Sequence, residues 1–132
     1  MGDDVIAEIG PGLLIFLGVV IGDTKETAER MARKTLSIRI FADETQAMNL
    51  SVVDVAGSLL VVSQFTLAAE TLRGNRPSYS SAMESDEAER LYEHYIDTLR
   101  HETNRVEMGS FGSEMRVALE NDGPVTILLD LE

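Results

Sequence analysis

Few residues in this chain have the types and spacing that chemistry requires. There is no cysteine, which removes disulfides, thiolate nucleophiles and Cys-ligated metals together. The two histidines, His94 and His101, lie on or just past an amphipathic segment and off its apolar stripe. Both read as solvent-exposed, and a Ser-His-Asp triad has no support. No H-E-x-x-H, Walker A or G-x-G-x-x-G pattern occurs, and Gly10-Pro11-Gly12 reads as a turn. Carboxylates are plentiful, but no pair is forced together as glycoside hydrolysis needs. Neither a metal nor a cofactor is expected. What remains is polar residues in unexpected places. Ser63, Gln64 and Thr66 interrupt an apolar run, and a buried glutamine amide must find partners. That pattern is either a satisfied core network or a site. Asn121 to Thr126 places a Gly-Pro step between two apolar runs, ordinarily a turn with a trans peptide.

The body that must carry these residues is acidic. The chain has 132 residues, a 44% hydrophobic share and a formal net charge of -12, which fits one packed domain over 1–132. Such a charge repels polyanions at long range and counts against RNA handling. The bases are unevenly spread, however. Thr71 to Met83 holds Arg73 and Arg76 and no acid, and Arg30, Arg33, Lys34 and Arg39 form a second group. Each is either ordinary solvated surface or a small phosphate-facing patch. Apolar runs such as Leu13 to Val20 are too short to span a bilayer. Met1-Gly2-Asp3-Asp4 has no basic n-region, so no signal peptide is read there and a cytoplasmic home is expected.

The positioning elements follow from periodicity. Leu13 to Val20 reads as a buried strand. Asp23 and Glu26 have capping-box spacing, and Ala28, Met31, Ala32 and Thr35 predict a helix over 24–36. Ile38 to Phe41 and Leu50 to Val53 read as strands around a polar loop. Leu59 to Leu67 is the most strand-like run, apolar enough to be covered on both faces. Arg73 to Pro77 is a loop. Ser85 is read as the cap of a second helix with Ala88, Leu91, Tyr92, Tyr95, Ile96 and Leu99 on one stripe. Val106 to Gly109, Met115 to Glu120 and Val125 to Leu131 read as closing strands. The expected fold is α/β, with two main helices and largely antiparallel, curved, barrel-like sheets.

Both polar oddities occur in one family. Ser63-Gln64-Phe65-Thr66-Leu67 resembles its S-Q-F-T-L segment, and Asn121 to Thr126 its N-x-G-P-V-T segment. Ile9 to Leu14, Leu36 to Phe41, Met48 to Ser51, Gly74 to Ser78, and Phe111-Gly112 with Met115 match in the same order. On this series the chain resembles the D-aminoacyl-tRNA deacylases nearly throughout. The resemblance implies hydrolysis of the ester between a D-amino acid and tRNA, mischarged glycyl-tRNA being a further candidate substrate. It implies a homodimer with its site at the subunit interface, and no membrane or DNA partner. The Gly123-Pro124 peptide would be cis, its carbonyl oxygens holding the amino group and leaving no room for an L side chain. Asn121, Val125 and Thr126 would complete that substrate-binding loop. The Phe65 and Thr66 amides would serve as oxyanion donors, Ser63 and Gln64 would shape the pocket, and Phe111 and Met115 would line an adenosine site. The 2′-hydroxyl of the terminal adenosine would assist, since no base is at hand to activate Thr66.

The sequence departs from that pattern in two places. Family members begin with a strand of the kind M-x-x-x-x-Q-R-V, whose arginine braces the Gly-Pro loop, and no residue here matches it. Ala68-Ala69 stands where a larger residue is frequent. Two other readings stand beside the resemblance: a binding or scaffold protein on the same fold, and a hydrolase of small acyl esters.

Overall fold

Leu13 to Leu17 supplies a β-forming apolar run, and Gly12 lets it start against a neighbour. A Cβ at Gly12 would stand 1.8 Å from the Ser58 carbonyl oxygen, so only glycine fits there. In a computed structural model describing residues 5–131, β1 spans Gly12–Leu17, α1 Lys25–Ser37, β2 Ser58–Ser63, α2 Ser85–Glu102 and β3 Val106–Met108. A 3-10 turn, Phe65–Ala68, follows β2 directly. The reading of Met1 to Asp4 lies outside the described residues.

The sheet is parallel, which corrects the antiparallel, barrel-like expectation. Its order is β1-β2-β3. Gly12 pairs with Ser58 through to Leu17 with Ser63, and Leu59 with Val106 through to Val61 with Met108. A helix lies between each consecutive pair of strands, and a helical crossover returns the chain to run parallel. Segments read as extra strands hid this alternation. Phe41 and Leu50 make only an isolated antiparallel bridge, and residues 52–56 form a turn. Neither 115–120 nor 125–131 forms a strand among the described residues.

Both helices begin one residue away from the expected caps. Thr24 accepts the Thr27 amide and Thr27 reciprocates, a capping box in which threonines replace the expected Asp23 and Glu26. Asp23 instead accepts the Val20 amide at 2.8 Å. At α2 the cap is Glu84, whose carboxylate takes the Asp86 and Glu87 amides. Ser85 is the first helical residue.

The helices pack on each other and on one face of the sheet. Ala32 and Leu36 of α1 meet Tyr92, Tyr95, Ile96 and Leu99 of α2 over Leu59 and Val61 of β2. Truncating such a buried side chain costs about 2–5 kcal/mol. The two buried phenols are satisfied. Tyr92 donates to the Val61 carbonyl at 2.9 Å, and Tyr95 shares a 2.8 Å bond with Thr35. On the opposite face, Leu60 and Val62 border a small cleft of about 90 Å³ with Ile6, Met115, Arg116 and Val117.

Candidate functional site

Ser63 ends β2, paired with Leu17. The Gln64 amide then donates to the Leu17 carbonyl at 2.8 Å, the last ladder bond before the chain turns. The Leu67 and Ala69 amides bond back to the Gln64 and Thr66 carbonyls, which closes the 3-10 turn. The run read as one strand to Leu67 therefore breaks at Gln64. Its break puts polar residues at the carboxyl end of a parallel strand, where open α/β sheets bind their ligands.

Gln64 is half-buried, and Phe65 and Thr66 are exposed. The Gln64 Nε2 donates to Thr66 Oγ1 at 2.5 Å. The glutamine amide is therefore satisfied locally, inside the turn. The Phe65 and Thr66 amides lead a 3-10 turn, and the first amides of such a turn have no acceptor within it. No imidazole or carboxylate bonds to Thr66 among the described residues. His94 is taken up elsewhere: its Nε2 meets Glu29 Oε1 at 2.9 Å, a link between α2 and α1.

The second segment is closed by its own asparagine. Asn121 Oδ1 accepts the Val125 amide at 3.0 Å, and Nδ2 donates to Thr126 Oγ1 at 2.9 Å. Between them stand Gly123, at φ +137, and a cis Gly123-Pro124 peptide. At that φ a side chain is strained, and a Cβ would also lie 3.0 Å from a Val125 methyl. Gly123 and Pro124 are exposed. Asn121 thus braces this loop from within, a role its Asx-loop chemistry allowed one to foresee.

Phe111 and Met115 sit in packing contacts. Phe111 is half-buried with its ring 5.6 Å from that of Tyr92. The Met115 sulfur lies against Gly109, where a Cβ would approach it to 3.2 Å. The Met48 to Ser51 motif is architectural. Asn49 donates to Asp43 and receives the Arg39 guanidinium. With the Thr45 and Gln46 amides, the Asn49 donor holds the Asp43 carboxyl down at about 2.

Sequence reasoning also missed what flanks the 3-10 turn. Glu70 and Ser78 exchange backbone bonds of 2.7 and 2.9 Å, and Ser81 Oγ donates to the Ala68 carbonyl at 3.0 Å. The Tyr79 ring meets Phe65 edge-on at 5.1 Å. The Arg73 to Pro77 loop is thus fastened to the turn that carries Thr66.

Fold and site together define an α/β protein with an exposed turn bearing Thr66 at the carboxyl end of its central parallel strand and a separate, self-braced Gly-Pro loop. The family described as D-Tyr-tRNA(Tyr) deacylase matches residues 1–130, and the chain belongs to that family. A relative from Photorhabdus laumondii, named D-aminoacyl-tRNA deacylase, is 47% identical over 98% of this chain and 89% of its own length. One from Thermosipho melanesiensis with the same name is 50% identical over 96% of this chain and 85% of its own. Among solved structures, that of a c-Myc DNA unwinding element binding protein superposes with a TM-score of 0.89 at 40% identity. That match covers 96% of this chain and 86% of that one. A probable eukaryotic D-amino acid tRNA deacylase shares the fold at a TM-score of 0.74 and 15% identity, over 85% of this chain and 81% of its own.

Proposed function

We propose that this chain hydrolyses the ester of D-aminoacyl-tRNA, releasing the D-amino acid and free tRNA. The observation that carries this is family membership across nearly the whole chain, with relatives near half identity bearing that name. The residues supply a consistent chemistry. The Phe65 and Thr66 amides donate to the carbonyl oxygen as it becomes an oxyanion. The Thr66 hydroxyl, already accepting from Gln64, keeps its own proton free to donate to substrate. Ser63 and Gln64 hold the strand end in shape. Attack by water is assisted by the substrate's own 2′-hydroxyl rather than by a protein base. Glycyl-tRNA fits the same scheme, since glycine has no side chain to reject.

Chirality is selected by the backbone of Gly123 and Pro124, whose carbonyls hold the amino group and leave no space for an L side chain. Phe111 and Met115 flank the terminal adenosine. The whole chain works as one deacylase domain, in the cytoplasm, where its substrate is made. Two copies complete each site, the Gly-Pro loop of one reaching the turn of the other. Consistent with burial by a second copy, Leu119, Ile127 and Leu128 are exposed apolar residues in the segment that finds no strand partner within the described residues. Light scattering of the purified chain reads the oligomer directly: a dimer supports the shared site, and a monomer that still hydrolyses refutes it.

A binding role on the same fold is the second reading, favoured by the name that the solved relative at 40% identity carries. Release of D-tyrosine from D-Tyr-tRNA separates the two. Turnover supports the hydrolase, and retention of tRNA without turnover supports the binding protein.

A further inference from the structure

The proposed substrate is a polyanion, yet the chain carries a net charge of -12. Some local surface must offset that repulsion near the 3-10 turn. The sequence offers two basic groups, and the structure separates them.

The group on and after α1 is largely spoken for. Arg33 pairs with Glu29 at 3.7 Å. Arg39 is drawn onto Asn49, donating to its backbone carbonyl at 2.8 Å and to its side chain. Glu26 and Glu29 share the helix with Arg30 and Lys34, so acids offset the bases on that surface.

The loop after the 3-10 turn differs in each respect. Every residue from 71 to 80 is exposed, and none from 71 to 83 is acidic. Arg73 and Arg76 have no ion pair or hydrogen bond among the described residues. The loop is not loosely attached. The Glu70–Ser78 bonds close its base, Ser81 ties it to the Ala68 carbonyl, and Tyr79 packs edge-on against Phe65. Glu70 is the nearest acid in sequence, and its backbone forms the base of the loop. Two unpaired guanidiniums are therefore carried on a braced arm fixed to the turn that bears Thr66.

We infer that Arg73 and Arg76 grip phosphates of the tRNA acceptor end and so deliver the terminal ester to the Phe65–Thr66 turn. This rests on the tRNA reading above. Guanidinium forks suit phosphate oxygens, and contacts to the backbone position a nucleic acid without reading its sequence. These are positioning residues: they act on the RNA, not on the ester.

The test uses the full chain and a non-acylated tRNA transcript, with the Arg73→Gln/Arg76→Gln double variant. Its affinity is expected to fall about tenfold, and the slope of log affinity against log salt to flatten by about 1 per arginine removed. Arg73→Lys/Arg76→Lys should restore most of the affinity, and Arg30→Gln/Arg33→Gln should leave it unchanged. With D-Tyr-tRNA as substrate, the Gln double variant should raise KM with kcat kept. Wild-type affinity and salt slope in the Gln variant would overturn the inference, as would no tRNA binding by the wild type. An equal loss in the α1 variant would overturn it too, by making the effect one of net charge. If the wild type binds tRNA but fails to cleave D-Tyr-tRNA, the deacylase reading falls, and the binding data still judge the two arginines.

Discussion

Gln64 donates its side-chain amide to the Thr66 hydroxyl at 2.5 Å, across a single residue of the 3-10 turn. An amide cannot take a proton from a hydroxyl at neutral pH, so this partner orients Thr66 without activating it. Thr66→Ala is therefore expected to lower kcat/KM for D-Tyr-tRNA by no more than about tenfold, the equivalent of one lost hydrogen bond. Steady-state kinetics on the folded variant checks this. Complete loss would assign Thr66 a covalent or acid–base role.

Asn121 holds the second segment by two bonds, to the Val125 amide and the Thr126 hydroxyl. Each is worth about 1 kcal/mol net. Asn121→Ala should erode the ratio of D- to L-ester hydrolysis by roughly tenfold or more. Because the loop is exposed, the same variant should melt within a few degrees of the wild type. A variant with intact selectivity would leave the loop brace without a part in chirality checking.

Neither histidine is placed for a catalytic part. His94 is engaged with Glu29 between the helices, and His101 lies in the last turn of α2, away from the 3-10 turn in sequence. The double variant His94→Gln/His101→Gln should keep kcat within about twofold, whereas loss of a general base costs about 10²–10⁴. Its stability should fall by about 1 kcal/mol or less, as is usual for the loss of one part-exposed side-chain hydrogen bond.

Burial pushes the Tyr92 and Tyr95 phenols up to about 12. Their folded pKa lies above the ordinary value of 10.0, so the neutral form is the one the fold favours. That stability is fully present below pH 10 and is lost as pH rises towards 12, because the unfolded chain ionises first. Each phenol contributes up to about 2–3 kcal/mol to that loss. Urea midpoints measured between pH 9 and 12 should fall steeply over this interval. Tyr95→Phe should flatten the fall while losing the bond to Thr35.

The helices were legible because their signals are local. The stripe from Ala88 to Leu99 predicts α2, and the 24–36 helix differs from Lys25–Ser37 by one residue at each end. The cap was misread by one position because Asp23 was the stronger-looking candidate, yet its carboxylate serves Val20. Sheet direction was not legible. It depends on what lies between strands, and the β-like run at 50–53 makes a single bridge at Leu50 before the chain turns at 52–56. The break at Gln64 was equally hidden, since Phe65 and Leu67 resume apolar character after it while their backbone turns away. Residues 115–120 alternate as a strand does and 125–131 are largely apolar, yet neither forms a strand among the described residues, because such a pattern makes a strand only where a neighbouring edge accepts its hydrogen bonds. The candidate site residues stood out for the opposite reason: Ser63, Gln64 and Thr66, and the Asn121 to Thr126 segment, break patterns that packing alone would preserve.

The central claim is tested most directly by incubating the purified chain with D-Tyr-tRNA and L-Tyr-tRNA in parallel and following ester loss against an enzyme-free control. The predicted result is rapid clearance of the D-ester while the L-ester decays at the control rate. Equal clearance of both esters, or survival of the D-ester, would contradict it.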